Sequence, residues 1–371
     1  MTAGRAGASS EGRGTASPGT SMARSIAAGG PLSVAQFMAE GNARYYAARD
    51  PLGAQGDFTT APEIGQVFGE LIGLALADVW QRAGSPRDVV YAELGPGRGT
   101  LARDALRAMA TQRLTPRPVL VEASAALRDL QDASVPGAAF VQSAAELPDD
   151  APLLVVANEF FDALGVRQLV RTNEGWRERV VALLDGKDEG GDDGADAPAR
   201  LGFATGGVPM DAALPASLRG APEGTIVETC PAACAIMREL AGRLVRQGGA
   251  MLVFDYGHDR PRTGSTLQAV RRHRKVDPLT AAGDADLTAH LDFHALAETA
   301  AAAGARVEGI APQGGWLEAM GIAARTQALA AAHPDRAEEL AASRERLTYR
   351  QAMGDLFKVM IITAPGWPPM L

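Results

Sequence analysis

The hydrophobic positions of this chain change period along its length, and each change marks an element. From Ile64, apolar residues recur at three and four: Val67, Phe68, Leu71, Ile72, Ala75, Leu76, Val79 and Trp80. That spacing predicts an amphipathic helix of about 20 residues. Pro62 fits its first turn, and Thr60 or Ala61 its start. Ser33 fits the N-cap of an earlier helix carrying Phe37 and Met38, followed by Tyr45 and Tyr46. From Val89 the pattern becomes short continuous apolar runs (89–94, 119–121, 140–141 and 153–157) separated by helical stretches at 101–109 and 125–130. Apolar strands alternating with helices imply a parallel sheet covered on both faces, so the predicted class is α/β.

The alternation then breaks. Val166–Val170 and Trp176–Leu184, split by Asn173-Glu174-Gly175, predict an exposed β-hairpin carrying Trp176, and this hairpin could pair across a two-fold to make a homodimer. The Gly- and Asp-rich stretch 185–198 lacks the ordered ligand pattern of a calcium loop and reads as solvated. A helix through Ile236, Leu240 and Leu244, a strand over Ala250–Phe254, and a final strand pair at Arg306–Ile310 and Lys358–Thr363 resume the core. The expected organisation is a disordered tail (1–30), a helical lid segment (31–85), the first part of the core (86–165), an inserted hairpin region (166–220), and the rest of the core with a helical cap (221–371). The tail holds Gly, Ala, Ser and Thr with Arg5, Arg13, Arg24 and a single acid, Glu11, so it buries too little to offset its ordering entropy. Its composition also resembles an organellar transit peptide, while Met22 could begin a shorter native chain.

Composition narrows the function. With 371 residues, 46% apolar and 22% charged, the chain is an ordinary globular protein. Its two cysteines, Cys230 and Cys234, make neither a disulfide scaffold nor a metal-ligand pattern. No apolar window reaches the ~18 residues a membrane helix needs. A net charge of −8 argues against a general nucleic-acid surface. The run Arg271-Arg272-His273-Arg274-Lys275 reads as a solvated turn or as a dock for an acidic partner face, and its lack of interleaved aromatics disfavours RNA.

The chemistry concentrates in Glu93-Leu94-Gly95-Pro96-Gly97-Arg98-Gly99-Thr100, where a strand runs into glycines and a helix begins at about Thr100. Glycines permit sharp or left-handed backbone and let a ligand touch it, and a helix start offers free N–H groups. A dinucleotide fingerprint needs glycine at its sixth position, where Thr100 stands, and a phosphate loop needs a lysine that is missing. A phosphate-free ligand, S-adenosylmethionine, fits better, with Glu93 placed for its methionine part. Glu122, ending the second strand, can accept from both ribose hydroxyls, although an NAD enzyme would show the same acid. Asn158-Glu159-Phe160-Phe161-Asp162 follows the fourth strand, at the sheet edge where open α/β folds bind ligands.

These residues bring a family into view. The chain closely resembles the MidA / DUF185 family of class I S-adenosylmethionine-dependent methyltransferases from about Leu32 to Ile362. The resemblance rests on Gly56-Asp57-Phe58-Thr59-Thr60-Ala61-Pro62-Glu63-Ile64, the block from Glu93 to Leu101, and Ala157-Asn158-Glu159-Phe160-Phe161-Asp162-Ala163-Leu164. Asp255-Tyr256-Gly257, Thr266-Leu267-Gln268, the segment from Asp286 to Phe293 and that from Met353 to Met360 extend it. The resemblance implies a Rossmann-like core and, from its mitochondrial member, a complex I assembly factor, dimethylation of an arginine of a complex I subunit. The partner would then be a protein, in a bacterial-type cytoplasm, or in the mitochondrial matrix if the tail is a transit peptide. Carried over, Gly95, Pro96, Gly97, Gly99, Thr100 and Glu93 would line the cofactor site, with Glu122 on its ribose and Asn158 and Glu159 near the methyl donor. Thr60 and Glu63 would close over the donor as a lid.

A cationic arginine is a weak nucleophile, so its site needs carboxylates that hold the guanidinium and bias its charge. Glu159 and Asp162 are the candidates, with Asp255, Asp286 and His290 behind them. Gly165, where relatives carry proline, should loosen the turn after Leu164, and Pro312-Gln313 departs from the usual Thr-Gln.

Overall fold

A computed structural model describes residues 18–48, 60–184, 200–214, 218–271 and 274–370. Gly56–Thr59, the acidic stretch 185–198 and residues 1–17 lie outside them.

Three sheets account for the strands among the described residues. One contains β1 (Leu32–Ser33), β6 (Arg167–Thr172), β7 (Gly175–Leu184), β8 (Arg200–Pro209) and β9 (Ile226–Thr229). The core sheet contains β2 (Val90–Leu94), β3 (Arg117–Val121), β4 (Ala139–Val141), β5 (Leu153–Asn158), β10 (Gly249–His258), β14 (Leu291–Asp292), β15 (Arg306–Pro312) and β16 (Phe357–Thr363). A small third sheet, unforeseen in the sequence, joins β11 (Gln268–Arg271), β12 (Arg274–Val276) and β13 (Asp286–Thr288). The helices are α1 (Pro18–Gly29), α2 (Val34–Ala48), α3 (Ala61–Ile64), α4 (Gln66–Arg82), α5 (Thr100–Thr111) and α6 (Ala125–Ser134). They continue with α7 (Pro231–Gln247), α8 (Pro278–Ala281), α9 (Phe293–Ala302), α10 (Gln313–Ala319), α11 (Ile322–Ala332) and α12 (Ala337–Thr348).

The core sheet has the order β15-β16-β10-β5-β2-β3-β4, with β14 beside the end of β10. From β4 to β10 it is parallel, as the apolar runs predict. The closing strand pair adds one exception to the parallel order: β16 runs antiparallel to both β10 and β15. Its cause is the cap. β15 ends at the carboxyl edge, and α10, α11 and α12 follow before β16 pairs Phe357 with Tyr256 at that same edge, so β16 must run back.

Alternate strand residues feed two cores. Leu120, Leu154, Val156, Leu252 and Phe254 pack under α4 and α5, and Val119, Val155, Ala157, Met251 and Val253 pack under α7 and α9. The two helices of the first layer approach so closely that a Cβ on Gly73 would stand 2.3 Å from the Ala105 carbonyl oxygen.

Four expectations change. The helix predicted from Ile64 breaks at Gly65, which is extended (φ 178°), into α3 and α4. Ser343 Oγ on α12 donates to the Ile64 carbonyl at the break (3.0 Å), satisfying it. The tail expected to lack order to residue 30 is helical from Pro18, and Met22 and Ile26 are buried against Phe37, Val181 and Leu287. Trp176, expected on an exposed hairpin, is fully buried with Leu169, Leu214 and Val227. Gly165 is not a loosened turn but a close approach, where a Cβ would lie 2.5 Å from the Ala35 oxygen of α2. Ser33 does cap α2: its Oγ accepts the Gln36 N–H (3.1 Å) and the Gln36 side chain accepts the Ser33 N–H (3.0 Å), a reciprocal capping box.

Candidate active site

The glycine turn holds the conformation its residues permit. Gly95, Gly97 and Gly99 have φ of +60°, +56° and +77°. In that left-handed region a side-chain Cβ costs ~1–2 kcal/mol. The Gly95 N–H donates to the Val121 carbonyl (3.0 Å) and the Gly99 N–H to Pro96 (2.8 Å), tying the turn to β3 and to itself. A Cβ on Gly95 would stand 2.9 Å from the Phe160 ring. Gly99 precedes α5 with no side-chain cap, which leaves the helix start to backbone chemistry.

Glu122 follows β3. One carboxylate oxygen accepts the Ser124 N–H (2.7 Å), and Gln131 Nε2 donates both to the other oxygen (3.2 Å) and to the Gly97 carbonyl (2.8 Å). Gln131 therefore clamps the glycine turn to the acid.

The opposite wall grows from β5 and β10. Glu159 adopts φ +49°, a left-handed conformation uncommon outside glycine, fixed by its N–H donating to the Phe254 carbonyl (2.9 Å). Among the described residues its side-chain bonds fall on Oε1, which accepts from the Ala61 N–H (3.1 Å) and from Asn158 Nδ2 (3.4 Å). Burial, reinforced by the charge of Asp162, pushes Glu159 up to about 8, while Arg346 of α12 partly offsets this. Glu93, buried under the turn, accepts from the Tyr91 hydroxyl (2.6 Å) and is likewise pushed to about 8 by burial. Asp255 is fully buried; its Oδ2 accepts the N–H groups of Phe161 (3.1 Å) and Asp162 (3.2 Å), so it shapes the 159–162 loop from behind. Burial and the carboxylates of Asp162 and Glu159 hold it well above the usual range.

A cavity of about 350 Å³ lies between these walls. Its lining brings together Thr60, Glu63, Glu93, Gly95, Pro96, Gly97, Thr100, Glu122, Asn158 and Glu159. Gly99 sits behind it, its Cα facing Ser134 of α6. Thr100 Oγ1 donates to Glu63 (2.6 Å), which ties the segment before α4 to the start of α5. Four candidates stand apart. Asp162 is buried beside the Tyr256 hydroxyl, with burial raising it to about 6, and no helix follows for it to cap. Asp255 acts on backbone, and His290 lines two smaller cavities beyond Tyr256. Asp286, in β13, is buried outside the cleft.

Sequence reading missed Arg98, Ser124, Leu127 and Phe160 in the lining, as well as the Gln131 clamp. It also missed Asn42, whose amide donates to Leu287 O (2.8 Å) and Ala163 O (3.2 Å) and accepts the Leu287 N–H (2.8 Å). Asn42 anchors the loop after β5 to α2. A lone asparagine inside an amphipathic helix is the one signal that could have found it.

These residues fit S-adenosylmethionine. The cavity falls within the ~300–1,000 Å³ of small-molecule sites. The glycines leave a cradle that a Cβ would fill, Glu122 offers hydroxyl acceptors, and the buried Asn158 Oδ1 has no protein hydrogen bond. Residues 71–311 match the model of an S-adenosyl-L-methionine-dependent methyltransferase family. The chain belongs to that family. It is 34% identical to a Drosophila melanogaster protein arginine methyltransferase NDUFAF7 homolog, covering 89% of this chain and 81% of the relative. The Danio rerio protein arginine methyltransferase NDUFAF7 is also 34% identical, over 91% of this chain and 84% of its own. A COG1565 superfamily member from Burkholderia thailandensis, bound to S-adenosyl-homocysteine, superposes with a TM-score of 0.80 at 28% identity, covering 94% of this chain and 92% of its own. The methyltransferase uses S-adenosylmethionine as methyl donor, and its sheet order and α/β layers are those of the class I fold.

Proposed function

We propose that this methyltransferase modifies an arginine of a protein partner, with the cofactor held by the β2 and β3 turns and the guanidinium received at Glu159. The observation that carries this reading is the position of Glu159: it lines the cavity beside the glycine turn and is held there through Oε1 by the Ala61 N–H and Asn158. The names of the relatives, protein arginine methyltransferases, support the substrate class.

Bound S-adenosylmethionine supplies an electrophilic methyl for in-line displacement, so the protein must mainly align the acceptor and exclude water. Glu63, Thr100 and the Pro62 segment close the donor side. Glu159 Oε2 draws charge in the guanidinium away from the attacking nitrogen and takes up the proton that nitrogen releases. Asp255 and Asn42 act as positioning residues through the 159–164 loop.

Glu159→Gln tests this. We expect incorporation of labelled methyl into a proteome from cells lacking the protein to fall by about 100–1,000-fold in kcat/KM. The S-adenosylmethionine Kd from isothermal titration should change by less than about threefold. Unchanged incorporation, or label on another residue type, would overturn the assignment. Partner binding by a wild type that incorporates no methyl would instead make the protein a docking assembly factor.

A further inference from the structure

Away from the cleft, positive charge is concentrated in one segment of an acidic protein. The net charge is −8, yet between His258 and Lys275 the only acid is Asp259, against Arg260, Arg262, Arg271, Arg272, Arg274 and Lys275. In the structure Arg271 ends β11, while Arg274 and Lys275 open β12, the outer strand of the third sheet. Arg260, Arg262, Arg271, Arg274 and Lys275 are all exposed, and among the described residues none of the five forms an ion pair.

Charges on an edge strand can serve only to discourage pairing with other chains. A second observation separates this edge from that role. Beside β12 opens a cavity of about 310 Å³ whose lining includes Arg262, Lys275, His290, Ser265, Thr266 and Gln268, with no Phe, Tyr or Trp side chain. Cationic and neutral donors converge there. Of the nearby carboxylates, Glu228 is engaged by the Thr266 N–H (3.0 Å) and Gln168 Nε2 (2.8 Å), and Asp277 caps α8 through the Leu279 N–H (3.0 Å). Burial, with Arg262, His258 and Lys275, lowers the His290 pKa against the opposing charge of Glu228.

The cavity also faces the right way. The His290 ring packs edge-on against Tyr256 (5.6 Å between centroids), and the Tyr256 hydroxyl reaches Asp162 in the acceptor loop. The cavity therefore lies on the acceptor side of the sheet edge, separated from the carboxylates by two rings.

We infer that this cavity and the β11–β12 edge hold an aspartate- or glutamate-rich segment of the protein acceptor, anchoring it beside the residue to be methylated. Carboxylates match the guanidinium and ammonium donors, and the absence of Phe, Tyr and Trp removes the stacking platform that single-stranded nucleic acid uses. The inference rests on the reading above that the acceptor is a protein.

Binding of a fluorescein-labelled oligoglutamate peptide to the full chain, followed by anisotropy, tests the surface without activity. We expect binding that weakens as salt is raised, and a peptide Kd at least about tenfold higher in Arg271→Glu/Arg274→Glu/Lys275→Glu. Arg262→Ala should raise it about threefold, and both variants should keep the wild-type S-adenosylmethionine Kd. In lysate assays the triple variant should raise the acceptor concentration giving half-maximal methyl incorporation and leave the maximal rate unchanged. Equal peptide binding by wild type and triple variant would overturn the inference. So would a uridine-rich RNA of equal charge that displaces the peptide more effectively than unlabelled peptide. Peptide binding as expected with label found off arginine would overturn only the arginine reading.

Discussion

The two walls of the cleft are built by different physics. The wall from β2 and β3, proposed above to hold the donor, is mainly backbone: three left-handed glycines, N–H groups donating to carbonyls, and one amide, Gln131, joining turn to acid, with the buried Glu93 beneath. The acceptor wall, from β5 and β10, is charge held out of water: Glu159, Asp162 and Asp255 lie close together and all three are displaced upward by burial. A donor of constant shape suits a rigid backbone mould. A cationic acceptor suits carboxylates whose cost of burial its arrival relieves.

That contrast makes the largest expected effect a steric one on the donor wall. In Gly95→Val a β-branched side chain would occupy φ +60° and meet the Phe160 ring, which a Cβ alone already approaches to 2.9 Å. We expect the S-adenosylmethionine Kd to rise by about 100-fold or more, with the chain still folded by circular dichroism. Near-normal cofactor affinity by titration calorimetry would show that the donor wall is not the backbone mould described here.

The acceptor wall should respond to pH instead. Glu159 is raised to about 8 and Asp162 to about 6 in the folded protein, against ordinary values of 4.5 and 3.8. Each then favours its neutral form when folded, so the stability it contributes is present below its unfolded value and lost as pH rises through its folded value. The ligand-free protein should therefore lose several kcal/mol of stability between about pH 4 and 8, with Glu93, also raised to about 8, adding to the slope. Glu159→Gln, neutral throughout, should flatten the upper part of that slope in denaturant melts recorded across the range. A wild type that gained stability from pH 5 to 8, or a variant with the same slope, would break the contrast between the walls.

Legibility from sequence followed the same division. The glycine turn, Glu93 and Glu122 could be read because β2, β3 and the turn between them are local, and continuous apolar runs mark buried parallel strands. The sheet order was not legible at β16, whose reversal depends on where three cap helices leave the chain. On the acceptor wall Glu159 could be placed at a strand end, but the work of Asp255 could not. Its partners are 93 and 94 residues away, and those of Asn42 are 121 and 245 away. Residue type alone made Asp255 look catalytic, whereas the three backbone N–H groups it accepts, from Phe161, Asp162 and Tyr256, suit a support. The small third sheet escaped because its strands are three or four residues long, too short for any periodicity to register.

The finest test lies where a side chain takes part in the backbone-built wall. Gln131 is fully buried, and its single Nε2 group spans the Gly97 carbonyl and the Glu122 carboxylate. Gln131→Ala removes two donors but leaves every glycine in place, so a wall set mainly by backbone should lose little. We expect the S-adenosylmethionine Kd to rise by about three- to tenfold, which corresponds to the ~1 kcal/mol of one or two hydrogen bonds. Gln131→Glu should cost more than alanine, because it sets a carboxylate against both the Glu122 carboxylate and the Gly97 carbonyl. A loss in Gln131→Ala comparable to that of Gly95→Val would mean that the clamp, rather than the left-handed turn, fixes the donor site, and the division between the two walls would have to be redrawn.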